Sequence, residues 1–160
     1  MKKLLTGIVI LAMTAASGNV MAGLSVDAFL TIGDGAGGLG SATPVQISID
    51  VTVPDTTVYG AQIDVTYDDA NLVPDFTNCG ADGWVCNDFS AGVIRFVYLK
   101  LDGFDPLPAT STSLGSIDFD ISSAPVGTYG LGIDSEEWTD EPGTILSTNG
   151  SVPGSIEVLG

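Results

Sequence analysis

The amino-acid sequence predicts an all-β protein built as a two-sheet β-sandwich. Three observations indicate this class. Short segments alternate apolar and polar residues, turn-forming residues separate those segments, and no amphipathic run is long enough for a standard helix. Alternation with a period of two places one side of a strand in a core and the other side in solvent. Many short strands separated by turns are typical of β-sandwiches and jelly rolls.

Six alternating segments predict strands. In chain order, they are 26–32, 45–53, 61–67, 117–121, 129–133 and 156–158. The segment 45–53 is the clearest, because five branched apolar residues alternate with four polar ones over nine positions. Breakers containing Gly, Pro or Asp separate the segments, which predicts turns there. They lie at 33–40, 54–55, 102–103, 106–108, 124–125 and 142–143.

The segment 92–101 is predicted to be a strand that is apolar on both faces. Ile94, Phe96 and Tyr98 form one row, and the other row is also mostly apolar: Val93, Arg95, Val97, Leu99 and Leu101. Such a strand is either covered by other parts of the protein or presents one face to something else. A loop such as 102–112 would provide the cover, so both interpretations stay open.

The stretch 67–72, which reads YDDANL, predicts a corner at the end of a strand. Tyr67 is the last inward residue of its row. Asp68 or Asp69 can accept backbone N–H groups of the following turn, as Asx turns do. Leu72 then returns to the core, so we interpret this stretch as structural.

The first 22 residues predict a signal peptide, and residues 23–160 predict a single domain. Lys2 and Lys3 precede a short apolar run at 4–13, and the residues at 20–22 suit a cleavage site. The apolar run is shorter than the ~20 residues that a bilayer span needs. We therefore expect export to a periplasmic or extracellular location, with no membrane span in the mature chain.

The net charge limits the possible partners. Cleavage after Ala22 would leave only Arg95 and Lys100 against 20 acidic residues, a formal charge of 2 − 20 = −18. Phosphate binding needs clustered Lys and Arg, so this charge argues against nucleic acid as a partner. It also argues against anionic membranes. The charge fits a basic protein partner, divalent cations or a salty medium.

Cysteine and histidine content narrows the chemistry further. Cys79 and Cys86, with six residues between them, are expected to form a disulfide in an exported chain. The chain contains no histidine, so Ser-His-Asp catalysis is not expected and a zinc site is very unfavourable. Paired carboxylates alone do not define a catalytic cleft. The sequence therefore predicts a non-enzyme without a bound cofactor, apart from a possible Ca²⁺ ion.

The placed strands resemble those of cohesin domains, the nine-stranded jelly rolls of bacterial scaffold proteins that bind dockerin modules. The stretch VQISIDVTV is similar to an early strand of that family, and Tyr67-Asp68 followed by Leu72 is similar to the end of its third strand. AGVIRFVYL and LGSIDFDIS resemble two later strands. The resemblance spans residues 24–159. Asp69 stands where family members usually have proline, and the cysteine loop is not a general family feature.

The resemblance implies a dockerin-type protein partner and a docking sheet. That sheet would contain the segments 58–67, 92–101, 113–122 and 127–134. Its outward residues would be Gln62, Asp64, Thr66, Arg95, Val97, Leu99, Ser116, Asp118, Asp120, Gly130 and Gly132. A flat face with an apolar patch and a charged centre suits protein docking. The alternative is an ordinary solvated face in which Arg95 pairs across strands with Asp118 or Asp120.

Two further functions are predicted as alternatives. Exposed Trp84 and Trp138, if both lie in loops, would form a carbohydrate-binding surface. A structural surface or matrix subunit would instead use an acidic loop to bind Ca²⁺, since carboxylate oxygens are its preferred ligands. The candidate ligands are Asp134, Glu136, Glu137, Asp140 and Glu141.

Overall fold

A computed structural model describes residues 29–52, 58–81, 83–99, 111–139, 145–146 and 150–160. The predicted leader, most of the loop 102–112, Asp140 and Glu141 lie outside the described residues. None of the described residues belongs to a helix with the length and apolar character needed to cross a membrane. The boundary of the predicted domain near Gly23 also lies outside, so the signal peptide remains a prediction.

The described residues form twelve strand segments arranged in two sheets. They are β1 Phe29–Ile32, β2 Gly35–Gly38, β3 Val45–Thr52, β4 Gly60–Thr66, β5 Val73–Asp75, β6 Trp84–Ser90, β7 Val93–Leu99, β8 Ser111–Asp120, β9 Gly127–Thr139, β10 Ile145–Leu146, β11 Ser151–Val152 and β12 Gly154–Leu159. The all-β sandwich is therefore confirmed. Several segments are only two to four residues long, so the strand count of nine is not confirmed.

The first sheet has five strands in the order β11-β1-β3-β8-β5. Its core is built from the predicted alternation: Val45, Ile47 and Ile49 in β3 are buried, and Ile117 and Phe119 of β8 are buried opposite them. The polar residues between them face outward. Alternation alone therefore identified both the strands and their inward faces.

The second sheet follows the order β2-β12-β9-β4-β7-β6, and β10 pairs with β9. In β4, Ala61, Ile63 and Val65 are buried as predicted, and Ile94 and Phe96 of β7 are buried beside them. The strand β9 is longer than predicted, because it continues past residue 133 to Thr139. A β-bulge opposite the Asp64/Val65 step shifts its register against β4.

One predicted strand belongs to the other sheet. The prediction that segment 113–122 joins the docking sheet is wrong, because β8 pairs with β3 and β5 in the first sheet. The position at the edge of the second sheet is occupied instead by β6. Period-two alternation reports which side of a strand is buried, but both sheets of a sandwich bury one side in the same core.

Another strand forms where a turn is expected. The glycine-rich segment 33–40 contains β2, which pairs in parallel with β12. A side chain at Gly35 would collide with Val45, and one at Gly37 would come within 2.6 Å of Ile121 Cδ1. These glycines therefore permit a close approach of β2 to the core rather than a break in the chain.

The corner at 67–72 has the predicted construction. Asp68 Oδ1 accepts a hydrogen bond from the Ala70 backbone N–H at 3.1 Å, and Asp68 Oδ2 accepts one from Asn71 at 2.8 Å. Leu72 is buried in the core. The turn-forming acid is thus Asp68, and the stretch is structural.

Candidate functional site

The outer side of β9, β4, β7 and β6 is the candidate site, and we call it the β6–β9 face. The register places Gln62 beside Val97 and Val97 beside Val85, and it places Asp64 beside Arg95 in the next row. Because neighbouring residues in a register share one side of a sheet, these side chains form rows across four strands. The face is defined by Gln62, Asp64, Thr66, Val85, Asn87, Phe89, Val93, Arg95, Val97, Gly132, Ser135 and Glu137.

The centre of the β6–β9 face is an ion pair. Arg95 Nε and Nη2 donate to Asp64 Oδ1 and Oδ2, each at 2.7 Å, and Ser135 Oγ donates to Asp64 Oδ2 at 3.0 Å. Asp64 is on the outer side of β4 as predicted, but it is only 4% exposed, so it is a buried and paired acid rather than a solvated one. The hydrogen bond from Arg95 lowers the pKa of Asp64, although burial acts in the opposite direction. A bidentate Arg–carboxylate contact of this kind neutralises the charge of Asp64 and fixes the orientation of both side chains.

An aromatic ring covers this ion pair. The guanidinium carbon of Arg95 lies 3.3 Å from the centroid of the Phe89 ring, a cation–π contact. The register of β6 against β7 shifts between Asp88 and Ser90, which places Phe89 in a β-bulge. Phe89 is still 52% exposed, and Val85, on the same strand, is 68% exposed. Phe89, Val85 and Val97 together form the apolar part of the face, on β6 and β7.

The contribution of β6 is not predicted from the sequence. The segment 84–90 resembles part of a cysteine loop, and its alternation is weak because Asn87, Asp88 and Ser90 are all polar. The bulge at Phe89 also breaks the period of two. The sequence feature that could have indicated a strand here is the spacing of Trp84 and Cys86. They are two residues apart, and both face the interior.

The opposite part of the face, on β9 and β4, is polar and acidic. Glu137 lies opposite Gln62 and is exposed. A cavity of about 290 Å³ opens here, lined by Gly60, Ala61, Gln62, Val97, Glu137 and Thr139. At the end of this cavity, Thr139 Oγ1 donates to the Gly60 carbonyl oxygen at 3.0 Å and so links β9 to β4. The face therefore carries exposed apolar side chains on β6 and an exposed acid on β9.

Most of the remaining predicted residues lie where the resemblance placed them. Gln62, Thr66 and Val97 are half-buried on the face, as is Arg95. Gly130 and Gly132 belong to β9, and the missing side chain of Gly132 leaves room for the Thr66 hydroxyl. Leu99 pairs with Gly60 at the end of β7, but its side chain lies outside the described residues.

Asp118 and Asp120 do not belong to this face. Both lie on β8 in the first sheet, where Asp118 accepts hydrogen bonds from Gln46 at 3.1 Å and from Asn78 at 3.0 Å. Asp120 accepts one from the Ser122 backbone at 2.7 Å, and this contact lowers the pKa of Asp120. The alternative pairing of Arg95 with either acid is therefore also wrong, because Arg95 pairs with Asp64.

Trp84 and Trp138 are core residues. The prediction that both lie exposed in loops is wrong, since Trp84 is in β6, Trp138 is in β9, and they are 4% and 0% exposed. Their ring centroids are 6.1 Å apart, and Tyr98 packs against Trp84 at 5.4 Å. The two indoles are inside the sandwich, so they offer no surface on which a sugar ring can stack.

The described part of the acidic segment, residues 134–139, is a strand rather than a loop. Asp134, Glu136 and Glu137 lie in β9, where Glu136 is opposite the buried Ile63 and Glu137 is on the outer side. Glu136 and Glu137 are consecutive in the strand, so their side chains point in opposite directions. Among the described residues, no group of three or more His, Cys, Asp or Glu side chains is placed to hold a metal ion. Ca²⁺ binding remains a prediction.

The predicted disulfide is present. Cys79 and Cys86 are bonded, with their Cα atoms 5.8 Å apart. Cys86 is in β6, and Cys79 precedes that strand and forms an isolated bridge with Gly115 of β8. The bond therefore joins the edge of the second sheet to a segment held by the first.

Sequence comparisons identify no relatives. No protein-family model matches the chain. No curated protein sequence matches it either.

Solved structures do match the fold, among them three cohesins. The seventh ScaB type I cohesin of Pseudobacteroides cellulosolvens superimposes with a TM-score of 0.69 at 19% identity, over 82% of this chain and 91% of that one. The third cohesin of ScaC from Acetivibrio cellulolyticus, solved in complex with the ScaB dockerin, also gives 0.69 at 19% identity, covering 83% and 99%. A non-cellulosomal cohesin from the archaeon Archaeoglobus fulgidus gives 0.64 at 12% identity, covering 84% and 92%.

These superpositions identify the class of fold. Each covers more than four fifths of both chains, so the likeness extends to the whole sandwich and is not limited to a shared motif. The chain is a cohesin-like β-sandwich, as the strand resemblance predicted. At identities of 12–19%, the likeness establishes the fold, and the function must be argued from the residues of the β6–β9 face.

Proposed function

We propose that this protein is an exported, non-catalytic binding module that docks a dockerin-type protein through the β6–β9 face. One observation carries the proposal: Val85 and Phe89 are exposed beside a neutralised Arg95–Asp64 pair on a four-stranded face. The cohesin-like fold supports the choice of partner, because the ScaC cohesin was solved with a dockerin bound. The disulfide supports export, since such bonds persist in oxidising compartments.

The shape and chemistry of the face favour a protein partner. Small ligands are held in concave pockets with convergent polar groups, whereas protein interfaces combine an apolar centre with a polar rim. Here Phe89, Val85 and Val97 supply the apolar part, and Gln62 and Glu137 supply the rim. The Arg95–Asp64 pair adds a polar contact that is already paired, so its charges are largely compensated before docking.

The charge of the module indicates a basic partner surface. Glu137 on the face and the excess of 20 acidic over four basic residues in the chain create a negative field. Such fields accelerate association with a partner of opposite charge, and salt weakens the effect. We therefore expect the association rate to fall as the salt concentration rises.

The test is a binding measurement with purified dockerin modules. Dockerins encoded by the organism that encodes this chain would be used, with the ScaB dockerin of A. cellulolyticus as a reference. The double variant Val85→Ser/Phe89→Ser should raise Kd about 10- to 100-fold, because aromatic and apolar anchors carry most of the binding energy in such interfaces.

The matched control is Val73→Ser. Val73 is 57% exposed on β5 of the first sheet, so its replacement alters an exposed valine away from the face. This control should leave Kd unchanged. The proposal would be refuted if none of the dockerins bound the unmodified protein, or if the control and the double variant weakened binding equally.

A further inference from the structure

The Cys79–Cys86 disulfide occupies a position that joins the two sheets. Cys86 lies in β6, opposite Phe96 of β7. Cys79 pairs as an isolated bridge with Gly115, which lies in the middle of β8 in the other sheet. The bond thus links the edge strand of the β6–β9 face to a segment that pairs with a strand of the opposite sheet.

The segment around Cys79 is fixed to β8 by additional contacts. The Ala81 backbone N–H donates to the Leu114 carbonyl at 2.9 Å, and Asn78 Nδ2 donates to Asp118 at 3.0 Å. Gly115 has φ 128°, and a side chain there would come within 2.7 Å of the Gly80 nitrogen. Glycine at this position therefore permits the two backbones to approach closely. The Cys79 end of the disulfide is anchored.

The Cys86 end is attached to a strand that has little other support. In the described residues, β6 pairs with β7 alone and forms the edge of its sheet. Its second half, after the disulfide, contains the bulge that carries Phe89, and residues 87–90 are all exposed. Trp84 anchors the start of the strand in the core. Edge segments with few buried contacts open most readily, so β6 depends on the disulfide more than the central strands do.

We propose that the Cys79–Cys86 disulfide positions β6 for docking, so that partner affinity depends on the oxidised state of this bond. This inference rests on the proposed function, because β6 carries Val85 and Phe89. In the oxidised protein, both side chains are held on a strand tied to the opposite sheet. When the bond is opened, β6 samples more conformations, and part of the binding energy is spent on ordering it again.

Reduction is chemically accessible at this site. Both cysteines are partly exposed. Dithiothreitol would supply the electrons: its two thiols are oxidised to a cyclic disulfide, while the Cys79–Cys86 bond takes up two electrons and two protons and opens to two thiols. The exchange proceeds by thiolate attack on one sulfur of the bond, and removal of the reductant with reoxidation reverses it.

The experiment compares the double variant Cys79→Ser/Cys86→Ser with the unmodified protein. Dockerin binding and amide hydrogen exchange would both be measured, and the Val73→Ser variant would serve as the control. We expect Kd to rise about tenfold and exchange in residues 84–90 to accelerate, while exchange in 45–52 of β3 stays unchanged. Dithiothreitol should produce the same two changes in the unmodified protein, and reoxidation should restore both.

The outcomes separate this inference from the docking proposal. If Val85→Ser/Phe89→Ser weakens binding but opening the disulfide does not, the positioning role is overturned and the docking face stands. If neither change affects binding, the docking face itself is wrong. Unchanged exchange in β6, or unfolding of the whole domain on reduction, would also overturn the positioning role. Should the serine variant fail to fold, the oxidised and reduced forms of the unmodified protein decide the question.

Discussion

The two outer faces of the sandwich are built from the same alternating pattern but have different chemistry. On the first sheet, the central strands β3 and β8 expose polar residues and acids, and Asp118 of β8 accepts hydrogen bonds from Gln46 of β3 and from Asn78 in the segment before β6. On the second sheet, the central ion pair is buried, and Val85 and Phe89 are left exposed beside it. Asp118 is satisfied by these contacts, and the exposed apolar side chains of the first face are divided between β1, β11 and β5, on either side of the central strands: Phe29, Val152 and Val73. On the β6–β9 face of the second sheet, Val85 and Phe89 lie on one strand beside the ion pair, so the exposed apolar area is gathered in one place.

The comparison shows that charge on a strand does not by itself mark an interaction surface. Asp118 and Asp64 occupy equivalent outward positions in their strands, and the sequence predicts both on one docking face. Asp118 is part of a solvated network, whereas Asp64 is buried by its neighbours and paired with Arg95. Whether an outward acid is solvated or is buried in an ion pair therefore depends on the side chains of the neighbouring strands.

The largest difference between the faces should appear when each acid is removed. Asp64→Ala leaves Arg95 beneath Phe89 without its carboxylate, and we expect the free energy of unfolding to fall by about 2 kcal/mol. The matched variant Asp118→Ala removes a half-buried acceptor whose two hydrogen bonds lie at the surface, and it should cost about 0.5 kcal/mol or less. Urea unfolding of both variants measures the difference, and equal losses would show that the two faces are energetically alike.

The buried acid of the second face should also make stability depend on pH. The pKa of Asp64 is lowered by its hydrogen bond to Arg95, so the folded state binds a proton there less readily than the unfolded state does. The contribution of ionised Asp64 to the free energy of unfolding is fully present above the ordinary pKa near 3.8. It is lost as the pH falls through the lower pKa that Asp64 has in the folded protein. We expect stability to decline below about pH 4. The decline should be shallower in Asp64→Asn, as measured by urea unfolding between about pH 2 and 5.

The smallest expected effect concerns the apolar row of the second sheet. Val97→Ser should lower the melting temperature by only about a degree or two, because Val97 is half-buried on the outer face, yet it should weaken dockerin binding about fivefold. Ser48→Ala, at an exposed position on β3, should change neither quantity. A large loss of stability in Val97→Ser would mean that this residue belongs to the core, and the candidate face would lose part of its apolar area.

Sequence reasoning succeeds where a local rule and the tertiary context agree. The rows of β3 and β4, the corner at Asp68 and Leu72 and the disulfide are all confirmed. The prediction fails at Trp84 and Trp138, because the residues around each tryptophan are typical of a loop. In the structure, Trp84 pairs with β7 and Trp138 pairs with β4, and both side chains point into the core. The prediction also fails at β2 because Gly35 is required by close packing that no local pattern reports.

From the amino-acid sequence alone, one can predict that the chain forms strands, which side of most strands is buried, and that the protein carries a large negative charge. These properties depend on neighbours along the chain. Three features instead depend on how the strands pack: β6 and not β8 borders the candidate face, Asp64 is buried against Arg95, and Phe89 covers the pair. The physical reason is that a strand's hydrogen-bonding edges accept any partner of suitable length, so sheet membership is set by how all the strands pack together.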